Sequence, residues 1–190
     1  RDPAADRIRS RLAGLVAVGP LRSFSGNPGV DRYGDPHMHL LDADGRWINR
    51  FLLVTGDAQV DPWTSHAGLL AALFNAEAEA RHAGRGLWGA PETAALTAAT
   101  ADRARAGAFR IVTGRVAAVG NSRLGLFLNF GEDWNNDFTV LVPTGRIGAL
   151  GGHEALRGLV GRTVEARGAV DRWRGPFMRA RRPGTLRVLP

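Results

Sequence analysis

Phe109-Arg110-Ile111-Val112-Thr113-Gly114-Arg115-Val116-Ala117-Ala118-Val119, then Leu124 to Phe130, then Phe138-Thr139-Val140-Leu141-Val142, decide how the second half of this chain folds. β-Branched and aromatic residues dominate these stretches, and runs of glycine, asparagine and aspartate separate them, so each reads as a strand. A helical segment follows from about His153 to Val160, and Thr163 to Val170 reads as a fourth strand. Either Pro176–Arg181 or Thr185–Leu189 completes the sheet.

The order β-β-β-α-β-β is that of the OB-fold, a small Greek-key barrel that binds oligonucleotides or oligosaccharides on one face. Working outward to the first half, Asp2-Pro3 with Asp6 is a helix start, and Ile8, Leu12, Leu15 and Val16 recur at helical spacing up to Gly19-Pro20. Leu21–Ser25 and His37–Leu41 read as strands, joined through the turn residues Gly26-Asn27-Pro28-Gly29 and followed by the Asp42-Ala43-Asp44-Gly45 turn. Trp47–Val54 is a short helix and Ala67–Ala83 a longer one ending at Gly84. The expected organisation is α+β: a unit over 1–90, an alanine- and threonine-rich linker over 91–108, and a basic barrel over 109–190.

At 190 residues the chain can hold one large or two small domains, each burying a modest core. No apolar run approaches the ~18 residues that span a bilayer, so no transmembrane helix and no membrane insertion are expected. Cysteine is absent, which excludes disulfides and thiolate metal sites. Every basic side chain other than histidine is arginine, a fork that grips phosphate bidentately and stays charged. Residues 1–90 hold ten arginines against ten acids, whereas residues 109–190 hold thirteen against six, the whole net charge of +7. That asymmetry points to a polyanion facing the second half.

Asp31-Arg32-Tyr33-Gly34, then Asp44-Gly45, then Ala76-Glu77-Ala78 through Gly86-Leu87-Trp88, stand in an order that resembles the second half of a staphylococcal-nuclease-type (thermonuclease) domain. The resemblance covers about residues 1–90 and implies an incomplete nuclease-type (OB-type) unit of helices plus a short hairpin. In the family, three opening strands carry the calcium-binding carboxylates, one catalytic arginine and the glutamate that acts on water; no position here inherits those roles. Where the motif places its other catalytic arginine, this chain has Asp35, a negative charge where phosphate should sit. The resemblance therefore implies a protein without catalysis as it stands, with no cofactor and with calcium only if the opening strands are supplied. The alternatives are an active calcium-dependent nuclease completed by those strands, or an assembly subunit whose hairpin edge pairs with a partner protein. Family habit favours export. The second half also resembles, more loosely, the domain appended to some bacterial thermonuclease-like proteins.

Candidate nucleic-acid-binding residues lie in the second half. Arg172-Trp173-Arg174-Gly175-Pro176, followed by Arg179, Arg181 and Arg182, interleaves guanidinium groups with an aromatic ring, as a groove tracking phosphates and stacking bases requires. Arg115 adds a charge. In the loop from Asn129 to Asn136, Asn129 suits a base edge and Trp134 either stacks on a ligand ring or plugs the barrel. Glu132, Asp133 and Asp137 could bind calcium, but their spacing matches no known calcium loop. Asp35, His37 and His39 alternate on one strand face, either as a divalent-metal site or as polar residues on the solvent side of an edge strand. His66 reads as a helix cap or surface residue, and Glu77 and Glu79 fall on different helix faces and form no catalytic pair.

Overall fold

The computed structural model describes residues 3–24, 30, 34, 36–63, 66–91, 94–133 and 135–190, which fall into two units, 1–93 and 94–190. In the first, helix α1 spans Pro3–Val18 and ends before Gly19-Pro20. Strands β1 (Arg22–Phe24) and β2 (His39–Leu41) pair antiparallel, with Phe24 opposite His39. Helices α2 (Ile48–Val54) and α3 (Ala67–His82) follow. The sequence of α3 is rich in alanine, leucine and glutamate, strong helix formers, and His66 caps it: its Nδ1 accepts from the Leu69 amide at 3.3 Å.

Leu53, Val60, Leu70, Leu73, Phe74 and Ala76 form the small core of this unit. Glu77 is buried beside it, accepting from the Val60 amide at 2.6 Å and paired with Arg81 at 3.6 Å, while Glu79 stays exposed. Helix α1 is tied down electrostatically: the buried carboxylate of Asp57 takes Arg7 at 3.2 Å and Arg11 at 2.9 Å, and the Thr55 hydroxyl at 2.7 Å. Two backbone segments meet at Gly56 (φ +73°) and Gly86 (φ +55°), where the Leu87 amide donates to the Gly56 carbonyl at 2.8 Å.

The second unit is a closed five-stranded barrel with an added strand at each margin. Its strands are β4 (Ala108–Arg115), β5 (Ala118–Ser122), β6 (Gly125–Asn129), β7 (Thr139–Pro143), β8 (Thr163–Trp173) and β9 (Gly175–Arg179). β4 and β5 are two halves of one bent strand. The first half pairs antiparallel with β8 and the second antiparallel with β6. At the bend the Val116 amide donates to the Arg162 carbonyl at 3.0 Å, and the next amide, Ala117, donates to the Asn129 carbonyl at 2.8 Å. β6 pairs with β7, β7 runs parallel to β9, and β9 returns antiparallel to β8, which closes the circuit. Helix α4 (Gly152–Arg157) lies between the third and fourth barrel strands. This is OB topology, defined by its own strand order, and the fold is α+β.

Alternation explains the core. Val112, Leu126, Leu128, Val140, Val142, Val164, Ala166, Val170 and Met178 point inward, and Leu156 of α4 joins them. Several boundaries differ from the sequence expectation. The strand expected over 109–119 breaks at Val116-Ala117, because the chain there changes partners. Of the two candidates for the last strand, residues 175–179 complete the barrel, and β10 (Leu186–Val188) pairs with the first part of β8, on the same side as β9. The stretch 91–108, expected as a linker, instead joins the second unit from Ala94 onward: β3 (Leu96–Thr97) pairs parallel with β4, and Ala101 and Ala104 are buried in the barrel core. Small alanines fit where larger residues would overfill, so a composition that looks like linker is core.

Among the described residues, no helix is long and apolar enough to cross a membrane. Replacing Gly56 with alanine is expected to destabilise the first unit by at least about 2 kcal/mol. A left-handed backbone and a Cβ placed 2.1 Å from the Arg85 carbonyl oxygen both oppose it. Urea unfolding followed by tryptophan fluorescence measures the loss.

Candidate functional site

Because Leu126 and Leu128 face the core, Phe127 and Asn129 face outward on β6; by the same alternation Thr139 faces outward on β7. Gly120 on β5 sits opposite Phe127. β8 runs past the barrel rim and delivers Trp173, and the tight turn to β9 delivers Arg174. These residues, with Asn121, line an open cavity of about 310 Å³. It occupies the sheet face and loop ends through which OB-folds take their ligands.

Aromatic rings form one wall. The Phe127 and Trp173 rings stack with centroids 5.6 Å apart and planes 30° from parallel. Phe177, itself buried, meets Trp173 edge-on at 5.6 Å, and the Arg179 guanidinium lies 4.9 Å from the Phe177 ring centre. Trp173 is thus braced from two sides yet remains 50% exposed. A large ring held in place but half in water is a ready stacking surface.

Polar groups form the other wall. The Thr139 hydroxyl lies 3.3 Å from Asn129 Oδ1. Arg174 has φ +64°, a left-handed conformation rare for a side-chain-bearing residue, and its Nη1 donates to Asn135 Oδ1 at 2.6 Å. The following Gly175 packs against the rim loop so closely that a Cβ there would meet the Asn136 carbonyl oxygen at 2.6 Å. The loop is held by its own acids: Asp137 Oδ2 accepts from the Asp133 amide at 2.7 Å, and Asp133 Oδ2 accepts from Asn136 Nδ2 at 2.6 Å. Gly120 leaves the floor open, since a Cβ built there meets nothing within 4 Å.

The structure brings together only part of the residue set expected from sequence. Asn129, Trp173 and Arg174 line the cavity, and Arg179 stands on the same outward face, paired with Asp171 at 3.4 Å. Arg172 turns elsewhere, to the Asp102 carbonyl. Arg115 donates to the Gly161 carbonyl at 3.0 Å and lines a different cavity with Val116, Ala117, Phe130 and Val160. Arg181 and Arg182 sit in the turn after β9. The run of nine arginines from Arg157 to Arg187 is therefore not one surface. Arg167 is buried with Nη2 at 2.7 Å from Glu165, and Arg187 reaches the same carboxylate at 3.3 Å. Trp134 lies outside the described residues, as do Asp31, Arg32, Tyr33 and Asp35; Gly34 is exposed with φ +89°. Phe127, Gly120 and Thr139 were missed, although strand alternation around Leu126 and Leu128 marks Phe127 as outward-facing.

In the first unit the two histidines depart from expectation. His39 does not face solvent: it is fully buried, with its ring 5.0 Å from Phe24, 5.1 Å from Trp47 and 4.6 Å from Trp63. His37 stacks on Trp63 at 5.2 Å. Both His39 nitrogens and His37 Nε2 lack a hydrogen-bond partner among the described residues, and no group of three histidine or acidic side chains there could hold a metal ion. Burial holds the His39 imidazole below its ordinary value of 6.5. In the turn after β2, the Arg46 amide donates to Asp42 and holds that carboxyl below the usual range, with the Arg46 side chain adding to the effect.

No protein-family model matches this sequence, and no curated protein does. The thermonuclease resemblance accordingly stands on its sequence motif alone. Among solved structures, the chain is similar to the hypothetical protein ygiW from E. coli, with 17% identity and a TM-score of 0.33 over 52% of this chain and 94% of that one. It is also similar to OBody AM1L10, solved bound to hen egg-white lysozyme, with 17% identity and a TM-score of 0.30 over 44% of this chain and 81% of that one.

His39 is expected to make the first unit acid-sensitive. Its folded value is depressed, so below the ordinary 6.5 the unfolded chain binds a proton that the folded chain refuses, and stability falls as pH falls through that window. The first unit is expected to weaken steadily from pH 7 to pH 5, and His39→Leu to flatten that slope. Chemical unfolding curves collected across this pH range give the slope, which would be equal in the two proteins if His39 were not responsible.

Proposed function

We propose that this protein binds single-stranded nucleic acid on the outward face of its barrel, without a fixed sequence motif. The observation that carries this reading is Trp173, braced against Phe127 and Phe177 and half exposed over a cavity edged by Asn129, Thr139 and Arg174. Every base has a π-face, so a stacking platform of this kind captures a strand irrespective of its sequence. Arg174 and Arg179 beside the rings suit the phosphates that flank a stacked base. Positive charge concentrated in residues 109–190 favours a polyanion over a neutral oligosaccharide, the other ligand class of such barrels.

Catalysis forms no part of this reading. The motif Asp31–Gly34 suggests descent from a phosphodiesterase, but Asp35 replaces the arginine its chemistry needs. Plasmid degradation that requires added calcium and stops with a chelator would reinstate the nuclease alternative.

Titration of a labelled 12-nucleotide single strand is expected to show affinity falling with salt, at a log–log slope of roughly −0.7 per phosphate contacted. Trp173→Ala should weaken binding by about 1–3 kcal/mol, the worth of one stacked base. Gly120→Leu should weaken it comparably with the melting temperature preserved, because the new side chain enters open space rather than the protein. Arg115→Ala, at the other cavity, should change affinity by no more than one surface charge does. Binding that is indifferent to Trp173→Ala would overturn the reading.

A further inference from the structure

The polar wall of the cavity has a direction. Asn129 offers an amide oxygen and an amide nitrogen, and the Thr139 hydroxyl, buried on the neighbouring strand, donates to the oxygen at 3.3 Å. The other acceptor within reach of that hydroxyl, the Asp137 carbonyl, is further off at 3.5 Å. Thr139 takes one lone pair of Oδ1, whereas Asn129 Nδ2 has no partner among the described residues and keeps its full donor capacity for a ligand. Arg174, the charged residue of the cavity, is a donor only. Asn121 can turn either end of its amide to a ligand and sets no preference. The cavity therefore meets a stacked ring mainly with hydrogen-bond donors.

We infer that the cavity prefers bases with a carbonyl where cytosine and adenine carry an amino group, with Asn129 Nδ2 donating to that oxygen of a base stacked on Trp173. This rests on the single-strand-binding reading and gives it a base preference. Uracil and cytosine make the comparison clean, because they share ring size and differ where one carries a carbonyl and the other an amino group. In the same pose, cytosine would set its amino donor against the Asn129 donor, which a polar site penalises more than a missing contact. An aspartate at this position would reverse the logic, since a carboxylate accepts from the cytosine amino group.

The test is a titration of the full chain with twelve-residue oligo-dU and oligo-dC at pH 8, where cytosine is neutral. The wild type is expected to bind oligo-dU at least fivefold more tightly. Asn129→Asp keeps an acceptor for Thr139 and replaces the free donor by an acceptor, so the ratio should fall to one or invert, whatever the added charge does to both affinities. Thr139→Val, a β-branched replacement of nearly the same shape, releases the amide to rotate and should bring the ratio toward one with no charge change. Equal wild-type binding of the two strands, still dependent on Trp173, would overturn the base preference while leaving strand binding intact. A fivefold ratio untouched by either variant would overturn the assignment to Asn129. Failure of both strands to bind would overturn the binding reading, and the preference with it.

Discussion

Two consecutive amides hold the second unit in its shape. Val116 donates to the carbonyl of Arg162 beside β8, and Ala117 donates to the carbonyl of Asn129 on β6. One strand thereby serves two neighbours and the sheet has no free end at that point, which removes the unpaired edge that an open five-stranded sheet would present. The bend also turns β5 toward β6, setting Gly120 opposite Phe127 and opening the floor of the cavity. The acceptor that receives the Ala117 amide belongs to Asn129, whose side chain lines the cavity, so barrel closure and site geometry share a residue.

The cavity combines rigid and adaptable parts. Trp173 stacks on Phe127 and meets Phe177 at a steep angle, so little rotamer freedom is lost when a ring stacks on it. Arg174 is positioned by a left-handed backbone and by Asn135, and Gly175 seats that turn against the backbone of the rim loop. A strained conformation at the lip of a cavity persists only where the surroundings over-determine it, and here the rim loop does so. The first unit is built differently, with a small apolar core, a helix tied by ion pairs to the buried Asp57, and an aromatic cluster around a histidine without hydrogen-bond partners among the described residues.

Much of the barrel was legible because strands announce themselves by composition and alternation. Ile111 and Val112, Leu126 and Leu128, and Val140 and Val142 each mark a strand, and the helix before β8 completes the order. The site was legible only in part, because adjacent residues of a strand or turn point in different directions. Arg172, Trp173 and Arg174 read as one patch in sequence, yet they reach the Asp102 carbonyl, the Phe127 ring and Asn135 respectively. Ala101 and Ala104 looked like linker because alanine's small apolar side chain gives no local sign of whether it is buried or exposed. His39 looked solvent-facing because nothing near it in sequence reveals that Phe24, Trp47 and Trp63 converge on it.

The sequence alone determined the first four barrel strands and the helix among them, the absence of thiol chemistry and the charge imbalance between the halves, since these follow from local composition and simple counting. Tertiary structure decided which arginines share a surface with the stacking rings and which are spent on Glu165 or on backbone carbonyls. It also decided that Phe127, Gly120 and Thr139 belong to the same cavity as Trp173. Those outcomes depend on strand register and on where the barrel closes. Both are set by pairings between residues tens of positions apart, which no local pattern encodes.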